Sequence, residues 1–357
     1  MRDFSPKIQY WYDQNKRDLP WRKTRNPYKI WLSEIILQQT RVDQGMNYYL
    51  KFISKYPTIA DLAISTEDEI LKDWQGLGYY SRARNLLEAS KMLIKEYQGN
   101  FPSTFNEIKK LKGVGEYTAA AIASFAFGEA QAVVDGNVYR VLSRYFGIQT
   151  AIDSTKGKKE FQHLANQLLD FKNPANHNQA IMEFGALQCT PKNPDCANCP
   201  LEKKCIAKQQ NLVHILPYKA GKTKQRNRFF NYLILYSEDE LFLNQRKGKG
   251  IWQNLYEFPL IETEAEVSSK ELLHNAQFKT LLNGINYQLK STSKPIKHIL
   301  SHQIIFAKFY HLRIISSKPK LEKEFLKIKS SNITKFAVPK LIENYVREET
   351  NLLSLFQ

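Results

Sequence analysis

All four cysteines of this 357-residue chain lie within one 17-residue stretch, as Cys189, Cys196, Cys199 and Cys205. Their C-x6-C-x2-C-x5-C spacing indicates a metal site, because four thiolates this close in sequence can converge on one inorganic centre at little loop-closure cost. A disulfide framework belongs instead to small secreted domains. An iron–sulfur cube held by four thiolates fits best. Zinc with the same ligands is the alternative, and four unrelated buried thiols would be the purely structural interpretation.

Two acidic residues could supply acid–base chemistry. Glu34 sits in an apolar helical stretch, residues 28–40, with no basic residue three or four positions away. Burial of that face would raise the pKa of its carboxyl and leave an acid able to give up a proton near neutral pH. An amphipathic helix whose one glutamate faces water is the alternative. Asp135, in Val134-Asp135-Gly136-Asn137, precedes a helical stretch, where an aspartate is most often an N-cap.

A glycine-containing turn, Leu111-Lys112-Gly113-Val114-Gly115, stands between two helical stretches. Its glycines allow a tight turn that brings backbone N–H groups against a phosphate without an intervening side chain. The segment predicts a helix-hairpin-helix for non-specific DNA binding, and a plain helix–turn–helix corner with glycine caps is the alternative. The 52 Lys and Arg residues exceed the 35 Asp and Glu residues, and this excess favours a polyanionic partner.

The secondary structure that must position these residues changes along the chain, from helices alone to a mixture of strands and helices. Before about residue 210 the apolar periodicity predicts helices, at 27–50, 67–74, 81–97, 105–111, 117–127, 138–146, 158–169 and 178–187. Later, β-branched and aromatic runs predict strands at 231–236, 240–244, 287–291 and 304–314, with helices at 270–282 and 339–347. We predict a helical domain over residues 1–215, a basic linker over 216–229 and an α+β domain over 230–357.

The chain carries no sign of export or membrane insertion. No apolar run of signal-peptide type occurs near its N-terminus, and nowhere do about 18 consecutive apolar residues occur. We therefore expect no membrane partner and a cytoplasmic location, nucleoid-associated if the source is bacterial.

In order along the chain, these motifs resemble the endonuclease III superfamily of DNA glycosylases, and within it the MutY-type adenine DNA glycosylases. The resemblance covers essentially the whole chain. Its specific pieces, besides the hairpin glycines and the cysteine loop, are Leu19-Pro20-Trp21-Arg22, Gln38-Gln39-Thr40, Gly76-Leu77-Gly78-Tyr79-Tyr80 followed by Arg82 and Arg84, and Val134-Asp135-Gly136-Asn137.

The resemblance implies a monofunctional glycosylase that flips out and hydrolyses adenine mispaired with 8-oxoguanine or guanine, leaving an abasic site. Glu34 would protonate the base and later assist water. Asp135 would offset the positive charge of the sugar, electrostatically or through a transient covalent adduct, as carboxylate pairs do in glycoside hydrolases. Tyr117 and Asn137 would support these two acids. The adenine pocket would be lined by Arg17, Trp21, Arg22, Leu37, Gln179 and Met182.

Further implications concern the cofactor and the DNA. The four cysteines would hold a [4Fe-4S] cluster. Bifunctional relatives carry a lysine where this chain has Tyr117, so no Schiff base is expected. Gln39 and Tyr79 would insert into the base stack, and a buried Tyr79–Tyr80 pair is the alternative for the latter. Lys112 stands where the family usually has proline. The full set of implied DNA contacts in this part of the chain is Gln39, Thr40, Tyr79, Gly113, Val114 and Gly115.

The later part of the chain favours a resemblance to the MutY-type family over one to endonuclease III itself. The segment from Arg246 to Pro259 looks like the Nudix-related domain with which this family checks the opposite base. No arginine occurs from 247 to 312, so the metal-binding helix of a Nudix hydrolase is missing and pyrophosphate hydrolysis is not expected. Leu300-Ser301-His302 is similar to the family's Phe-Ser-His loop. Ser301 would bond the edge that distinguishes 8-oxoguanine from guanine, with His302 beside it, and a plain surface turn is the alternative.

The sequence thus predicts one fold, one function and one alternative function. The fold is multidomain: an all-α helix-hairpin-helix DNA glycosylase domain with an iron–sulfur cluster loop, followed by an α+β Nudix-like domain. The protein would act as a monomer on double-stranded DNA containing adenine opposite 8-oxoguanine or guanine. The alternative function is a catalytically silent mispair-binding protein of the same fold, which would have no need of an acid such as Glu34 in an apolar helix.

Overall fold

The chain folds into two compact units in the computed structural model, which describes residues 3–221, 225–315 and 318–348. The first unit comprises Met1–Ser65 and Asn85–Lys222, and the second comprises Thr66–Arg84 and Thr223–Gln357. Nothing in the sequence pattern indicated that Thr66–Arg84 leaves the helical part to join the later one. Across the described ranges, no helix combines the length and apolar character needed to span a bilayer.

The first unit is helical, as predicted. It also contains short 3-10 helices at Pro20–Arg22 and Glu202–Lys204. Helix α5 and the first turn of α6 belong to the second unit. In chain order the helices of this part are α1 (Phe4–Asn15), α2 (Pro27–Leu37), α3 (Val42–Lys55), α4 (Ile59–Ile64), α5 (Glu67–Asp73), α6 (Ser81–Tyr97), α7 (Phe105–Ile108), α8 (Glu116–Phe127), α9 (Gly136–Phe146), α10 (Thr155–Leu168), α11 (Pro174–Leu187) and α12 (Ile206–Gln209).

The single helix predicted over residues 27–50 is wrong, because the chain breaks between α2 and α3. No proline or glycine marks the break, but Gln39 adopts a left-handed backbone with φ 56°. After the break α3 packs closely against α2, and a Cβ added at Gly45 would lie 2.6 Å from Leu37 Cδ2. Gly45 therefore permits an approach that a larger side chain would obstruct.

The hairpin predicted from its glycines lies between α7 and α8. Gly113 has φ 75°, a left-handed conformation that favours glycine, and Gly115 is the N-cap of α8. A Cβ at Gly113 would also meet Asn85 Cβ at 2.6 Å. Helix α8 packs against α2 and α11, and α11 packs against α9, so four helices surround one region of the unit.

The second unit is built on a mixed sheet with strand order β3-β2-β1-β7-β5. The central pair, β1 and β7, is parallel and in register from Arg226↔Gln303, while β4 pairs with β1, β6 with β7 and β8 with β2, all antiparallel. The strands are β1 (Arg226–Ser237), β2 (Glu240–Gln245), β3 (Tyr256–Glu257), β4 (Leu260–Thr263), β5 (Tyr287–Thr292), β6 (Ile296–Ile299), β7 (Gln303–Ile314) and β8 (Leu326–Lys329).

Helices interleave with these strands, which confirms the predicted α+β class. The helix predicted over 270–282 is divided in two at Asn275, whose side chain accepts hydrogen bonds from the backbone N–H groups of Gln277 and Phe278 and so starts a second helix. A 3-10 helix lies at Ser330–Lys335. The α-helices are α13 (Ser269–His274), α14 (Ala276–Leu281), α15 (Lys318–Glu324) and α16 (Lys340–Glu348).

Candidate active site and a second cavity

A cavity of about 400 Å³ in the first unit collects the residues predicted to act on the base and the sugar. Glu34 enters it from α2, Tyr117 from α8, and Asp135 and Asn137 from the start of α9. The two acids, far apart in sequence, thus share one cavity. Its lining also includes every residue predicted for the adenine pocket, together with two of the predicted DNA contacts: Arg17, Trp21, Arg22, Leu37, Gln179, Met182, Gln39 and Thr40.

Glu34 is 8% exposed, so the alternative in which it faces water is wrong. Burial raises the pKa of its carboxyl to about 7, and the nearby Asp135 carboxylate acts in the same direction. The Tyr117 hydroxyl opposes this shift by donating a hydrogen bond of 2.8 Å to Glu34 Oε2, as does the charge of Arg22. A carboxyl with a pKa near neutrality can both give and accept a proton.

Asp135 has a different environment in the same cavity. It caps α9, where its Oδ1 accepts hydrogen bonds from the backbone N–H groups of Asn137 and Val138, at 2.9 and 2.8 Å. Its Oδ2 accepts a third, of 2.7 Å, from Asn137 Nδ2. Burial raises the pKa of Asp135, while these bonds and the charge of Arg140 oppose the rise and favour the carboxylate. Capping the helix and lining the cavity are therefore compatible roles.

Asn137 is itself held in place by Arg140 and by the backbone of α11. Arg140 Nη2 donates a 2.8 Å hydrogen bond to Asn137 Oδ1, and Arg140 Nε donates one of 2.6 Å to the carbonyl oxygen of Cys189. A Cβ added at Gly185 would lie 2.6 Å from Asn137 Cβ. Arg140 thus bonds both to Asn137, which supports Asp135, and to Cys189, the first cysteine of the loop.

Glu183 is a cavity residue that the sequence analysis missed. It is 1% exposed, and its two carboxylate oxygens accept hydrogen bonds of 2.6–2.9 Å from the guanidinium groups of Arg17 and Arg22. Burial alone would raise the pKa of Glu183, but the bonds from Arg22 and Arg17 outweigh it and lower the pKa to about 2. Two arginines assigned to one buried pocket require a counter-ion, and Glu183 follows Met182 directly.

The four cysteines follow α11 in one loop, where each is partly exposed. Burial raises the pKa of Cys199 most, to about 12, and the charges of the other three cysteines add to this rise. Arg144, from α9, donates hydrogen bonds to Cys189 Sγ at 3.4 Å and to the carbonyl oxygen of Thr190 at 2.7 Å. In the described parts of the chain, no three His, Cys, Asp or Glu side chains form a ready site for a single metal ion.

A second cavity, also of about 400 Å³, lies wholly within the second unit. Residues 77–81 and 84 line it from one segment, and residues 250–252 and 299–303 line it from two others. Tyr79, Ser301 and His302 all line it. Tyr79 is 44% exposed whereas Tyr80 is 6% exposed, so the two do not form a buried pair. Ser301 lies in the exposed turn between β6 and β7, with its oxygen 2.5 Å from the Tyr79 hydroxyl.

Comparisons with known proteins match two families in succession along the chain. Residues 32–168 match the family model for HhH-GPD superfamily base excision DNA repair proteins, and residues 231–348 match the NUDIX domain. An adenine DNA glycosylase of Buchnera aphidicola subsp. Baizongia pistaciae is 37% identical over 318 residues, covering 85% of this chain and 84% of its own. One from Buchnera aphidicola subsp. Schizaphis graminum is 39% identical over 263 residues, covering 73% and 76%. The chain belongs to the adenine DNA glycosylase family.

Solved structures support the fold assigned to this family member. A thermostable thymine-DNA glycosylase covers 58% of the chain and 96% of its own length with 34% identity and a TM-score of 0.55. A trapped complex of endonuclease III with DNA matches 59% of the chain and 96% of its own, at 24% identity and a TM-score of 0.53, and shows a shared fold. The predicted family and fold class, a helix-hairpin-helix glycosylase domain with a Nudix-like domain, are confirmed.

Proposed function

We propose that this adenine DNA glycosylase family member excises adenine from DNA by hydrolysing the N-glycosidic bond, with Glu34 and Asp135 as its catalytic residues. The observation that carries the proposal is the meeting of these two acids in one buried cavity with different environments. Burial raises the pKa of both carboxyls, but Asp135 accepts three hydrogen bonds and Glu34 one from Tyr117, so Asp135 is the better charge partner and Glu34 the better acid.

Glu34 supplies the proton in this mechanism. Adenine is a poor leaving group, so departure requires a proton on one of its ring nitrogens. Because the pKa of Glu34 is about 7, a large share of the molecules carries that proton at neutral pH. Once the base has left, the resulting carboxylate can accept a proton from the attacking water. The Tyr117 hydroxyl holds Glu34 in place by donating to its Oε2.

Asp135 stabilises the sugar. Cleavage of the bond leaves an oxocarbenium-like deoxyribose, whose positive charge is favoured by a carboxylate held in place beforehand. The three hydrogen bonds that Asp135 accepts hold it in that position and also reduce its nucleophilicity. They favour electrostatic stabilisation over a covalent adduct.

The base would be recognised by the buried Glu183 together with the partly exposed Arg17 and Arg22. Together these side chains present N–H donors and carboxylate acceptors to the cavity. Adenine carries an amine donor beside ring-nitrogen acceptors, so the two patterns are complementary. Trp21 adds an aromatic wall, against which a flipped base can pack.

The reaction would stop at the abasic site. Among the described residues that line the cavity none is a lysine, and Tyr117 occupies the position from which bifunctional relatives would attack. Without an amine there, no Schiff base forms and the strand is not cleaved. Borohydride treatment during the reaction should therefore trap no covalent protein–DNA complex, and efficient trapping with the wild-type protein would contradict a monofunctional mechanism.

The base opposite adenine would be read by the second unit, with 8-oxoguanine preferred over guanine. Support comes from Ser301, whose exposed hydroxyl stands at the rim of the second cavity. Gln39 and Tyr79, the proposed wedges, are both exposed and both hold left-handed backbones, with φ 56° and 46°. Ser301→Ala should reduce the preference for 8-oxoguanine by about 1–3 kcal/mol, the range for one well-formed base contact. An unchanged preference would exclude this role.

We further propose that the four cysteines hold a [4Fe-4S] cluster, which would shape the loop between α11 and α12. Four thiols confined to one loop supply the required ligands. A zinc ion held by the same four sulfurs is the alternative. Metal analysis of the purified protein should find iron and sulfide, and stoichiometric zinc without iron would refute the cluster.

The deciding experiment uses a labelled duplex with adenine opposite 8-oxoguanine, treated with alkali after incubation with the full-length protein. Strand scission at the adenine should appear with the wild-type protein. Glu34→Gln should keep duplex binding and lose scission by about 10²–10⁴-fold, the usual contribution of a general acid. Equal scission by both proteins would remove Glu34 from the mechanism. Binding without scission by the wild-type protein would favour the catalytically silent alternative.

A further inference from the structure

A buried asparagine on α11 contacts two of the elements that line the first cavity. This residue, Asn178, directly precedes the cavity residue Gln179 but lies outside the lining itself. We propose that Asn178 is a positioning residue for the excision reaction, whose side-chain amide holds the segment that ends at Asp135. The inference rests on the proposed function, in which the Asp135 carboxylate faces the positive charge that develops on the sugar.

The segment that leads to Asp135, residues 129–134, forms neither helix nor strand. Val133 is buried, so the backbone groups around it need hydrogen-bond partners inside the protein. Asn178 supplies two of these partners. Its Oδ1 accepts a 3.1 Å hydrogen bond from the backbone N–H of Val133, and its Nδ2 donates one of 2.7 Å to the carbonyl oxygen of Gln131. One side-chain amide therefore bonds this segment as a neighbouring strand would in a sheet.

The orientation of this amide is fixed by its partners. A backbone N–H can only donate and a carbonyl oxygen can only accept, so the oxygen of Asn178 must face Val133 and its nitrogen must face Gln131. The same nitrogen also donates to Ser124 Oγ at 2.9 Å. The oxygen and both protons of the amide are thus engaged, and rotation of the side chain would break hydrogen bonds in a buried place.

The bond to Ser124 extends the contact to α8, the helix that begins with Tyr117 in its first turn. Tyr117 donates to Glu34, so α8 positions the proposed acid, whereas residues 131–133 lead to the proposed charge partner. Through one side chain, Asn178 therefore contacts the two elements that position the two acids. Ser124 is buried and α8 packs against α11, so this contact cannot shift without moving a helix.

Loss of the amide should misplace Asp135 without removing its carboxylate. The hydrogen bonds that Asp135 accepts from the N–H groups of Asn137 and Val138 should remain, because neither involves α11. The segment before Asp135 would lose two backbone hydrogen bonds, and its end would become free to move relative to Glu34. Catalysis is sensitive to such movement, since a misplacement of about 1 Å can slow a reaction about 10²-fold.

The test measures how well the protein recognises a positive charge at the position of the sugar. Two duplexes would carry, in place of the target deoxyadenosine, either a protonated pyrrolidine or a neutral tetrahydrofuran of the same shape. The full-length wild-type protein should bind the cation more tightly, since Asp135 faces it. In Asn178→Leu, which keeps the size of the side chain but forms no hydrogen bond, this preference should fall by about 10-fold, the lower range for one bond to a charged group. Single-turnover excision should slow by about 10²-fold.

The ratio of the two affinities separates positioning from a purely structural role, because general destabilisation weakens binding of both duplexes equally. Asn231→Leu is the matched control. Asn231 is also buried and its Nδ2 donates to the carbonyl oxygen of Ile261 at 3.1 Å, but it lies in the second unit. Its loss should lower the Tm as Asn178→Leu does and leave the ratio at the wild-type value. Added to Asp135→Asn, Asn178→Leu should slow excision little further, because the carboxylate that it positions is already absent.

A milder variant, Ser124→Ala, removes only the contact with α8 and serves if Asn178→Leu does not fold. Its preference for the cation should fall by about 3-fold, within the range for one net hydrogen bond.

The possible failures are distinguishable. A wild-type ratio in Asn178→Leu, or in Ser124→Ala where the former does not fold, would overturn the positioning role, as would an undiminished effect of Asn178→Leu in the Asp135→Asn background. A wild-type protein without preference for the cation would instead remove Asp135 as charge partner. Absence of any excision by the wild-type protein would refute the proposed function itself.

Discussion

The two cavities have nearly the same volume, yet their functional groups differ in kind. The cavity of the first unit holds carboxyls and guanidinium groups, and its key acids, Glu34 and Glu183, are almost completely buried. The cavity of the second unit presents the hydroxyls of the exposed Tyr79 and Ser301, and the titratable side chains in its described lining are those of Tyr79, Tyr80, Arg84 and His302, with no carboxyl. A general acid that works near neutral pH needs a carboxyl with a raised pKa, and burial provides that rise for Glu34. Reading one base edge requires only a correctly directed hydrogen bond.

The two regions also carry strain in different forms. In the first cavity it is electrostatic, because a desolvated carboxyl disfavours its charged form. In the second it is conformational, since Tyr79 and Trp252 both adopt left-handed backbones, with φ 46° and 59°, and Gln39 adds one such backbone, with φ 56°, at the first cavity. Substitutions in the first region should therefore have large, pH-dependent effects. Substitutions in the second should have smaller effects that do not depend on pH.

The largest effect should follow Asp135→Asn. Asparagine can still cap α9, so the helix should remain, but the charge facing the sugar is lost. Excision should slow by about 10³-fold, the upper range for one preorganised electrostatic group. Single-turnover rates at saturating protein would measure the change. Asp153→Asn is the matched control, because Asp153 likewise accepts two backbone N–H bonds, from Ala220 and Gly221, but at an exposed site. Comparable losses in both variants would mean that the effect does not come from the charge facing the sugar.

The next effect concerns the stability of Glu34→Gln. This variant should lose activity, yet its folded state should be more stable than that of the wild type. The pKa of Glu34 is about 7 in the folded protein against its usual 4.5, so the stability associated with the protonated carboxyl is complete below 4.5 and lost as pH rises through 7. Glu34→Gln cannot ionise. It should therefore be more stable than the wild type at about pH 8, on the order of 3 kcal/mol, with little difference at about pH 5.

Amide hydrogen exchange in α2 would report this local stability directly. Slower exchange in Glu34→Gln at high pH, and equal exchange in the two proteins at low pH, is the expected pattern. A difference that is independent of pH would show that the folded protein accommodates the charge of Glu34 without cost. The first cavity would then carry no electrostatic strain, and it would not differ from the second cavity in that respect.

Much of the chemistry of the first cavity could be predicted from the sequence, because its residues stand in recognisable local contexts. The apolar surroundings of Glu34 left burial and a water-facing position both open, and the structure shows burial. Asp135, as a capping residue, and the hairpin glycines marked helix starts. Glu183 escaped notice since its role depends on a pairing with Arg17 and Arg22 across about 160 positions of the chain. Partners at such separations leave no local pattern.

Features that depend on tertiary contacts were also missed. The break between α2 and α3 occurs at ordinary residues, and only packing of Gly45 against Leu37 rationalises it. The membership of Thr66–Arg84 in the second unit is another example. Within that unit Asn254 Nδ2 donates to Glu67 Oε1, and Tyr256 donates to Asp68 Oδ2 at 2.9 Å. These polar contacts connect distant segments, so neither segment alone predicts them.

A smaller effect should appear in the pH dependence of excision. If Glu34 donates the proton, the rate should decline as pH rises above about 7, where the carboxyl ionises. The hydrogen bond from Tyr117 lowers the pKa of Glu34, so Tyr117→Phe should move that decline to higher pH, by about one unit for the loss of a bond to a charged group. Rates of both proteins across the pH range would show it. If the excision rate declines at the same pH in both proteins, Tyr117 does not influence the ionisation of Glu34.

The smallest effect should come from Gly78→Ala in the second unit. Gly78 has φ 79°, and an added Cβ would meet nothing within 4 Å, so backbone strain is the only cost. That strain should destabilise the Tyr79 loop by about 1 kcal/mol, measurable as faster amide exchange there at any pH. Gly113→Ala in the hairpin combines similar strain with a contact of 2.6 Å to Asn85 Cβ, and it should cost more. Equal losses of stability in the two variants would show that Asn85 moves aside freely. A pH-dependent effect of Gly78→Ala would mean that a charged group also influences the second cavity.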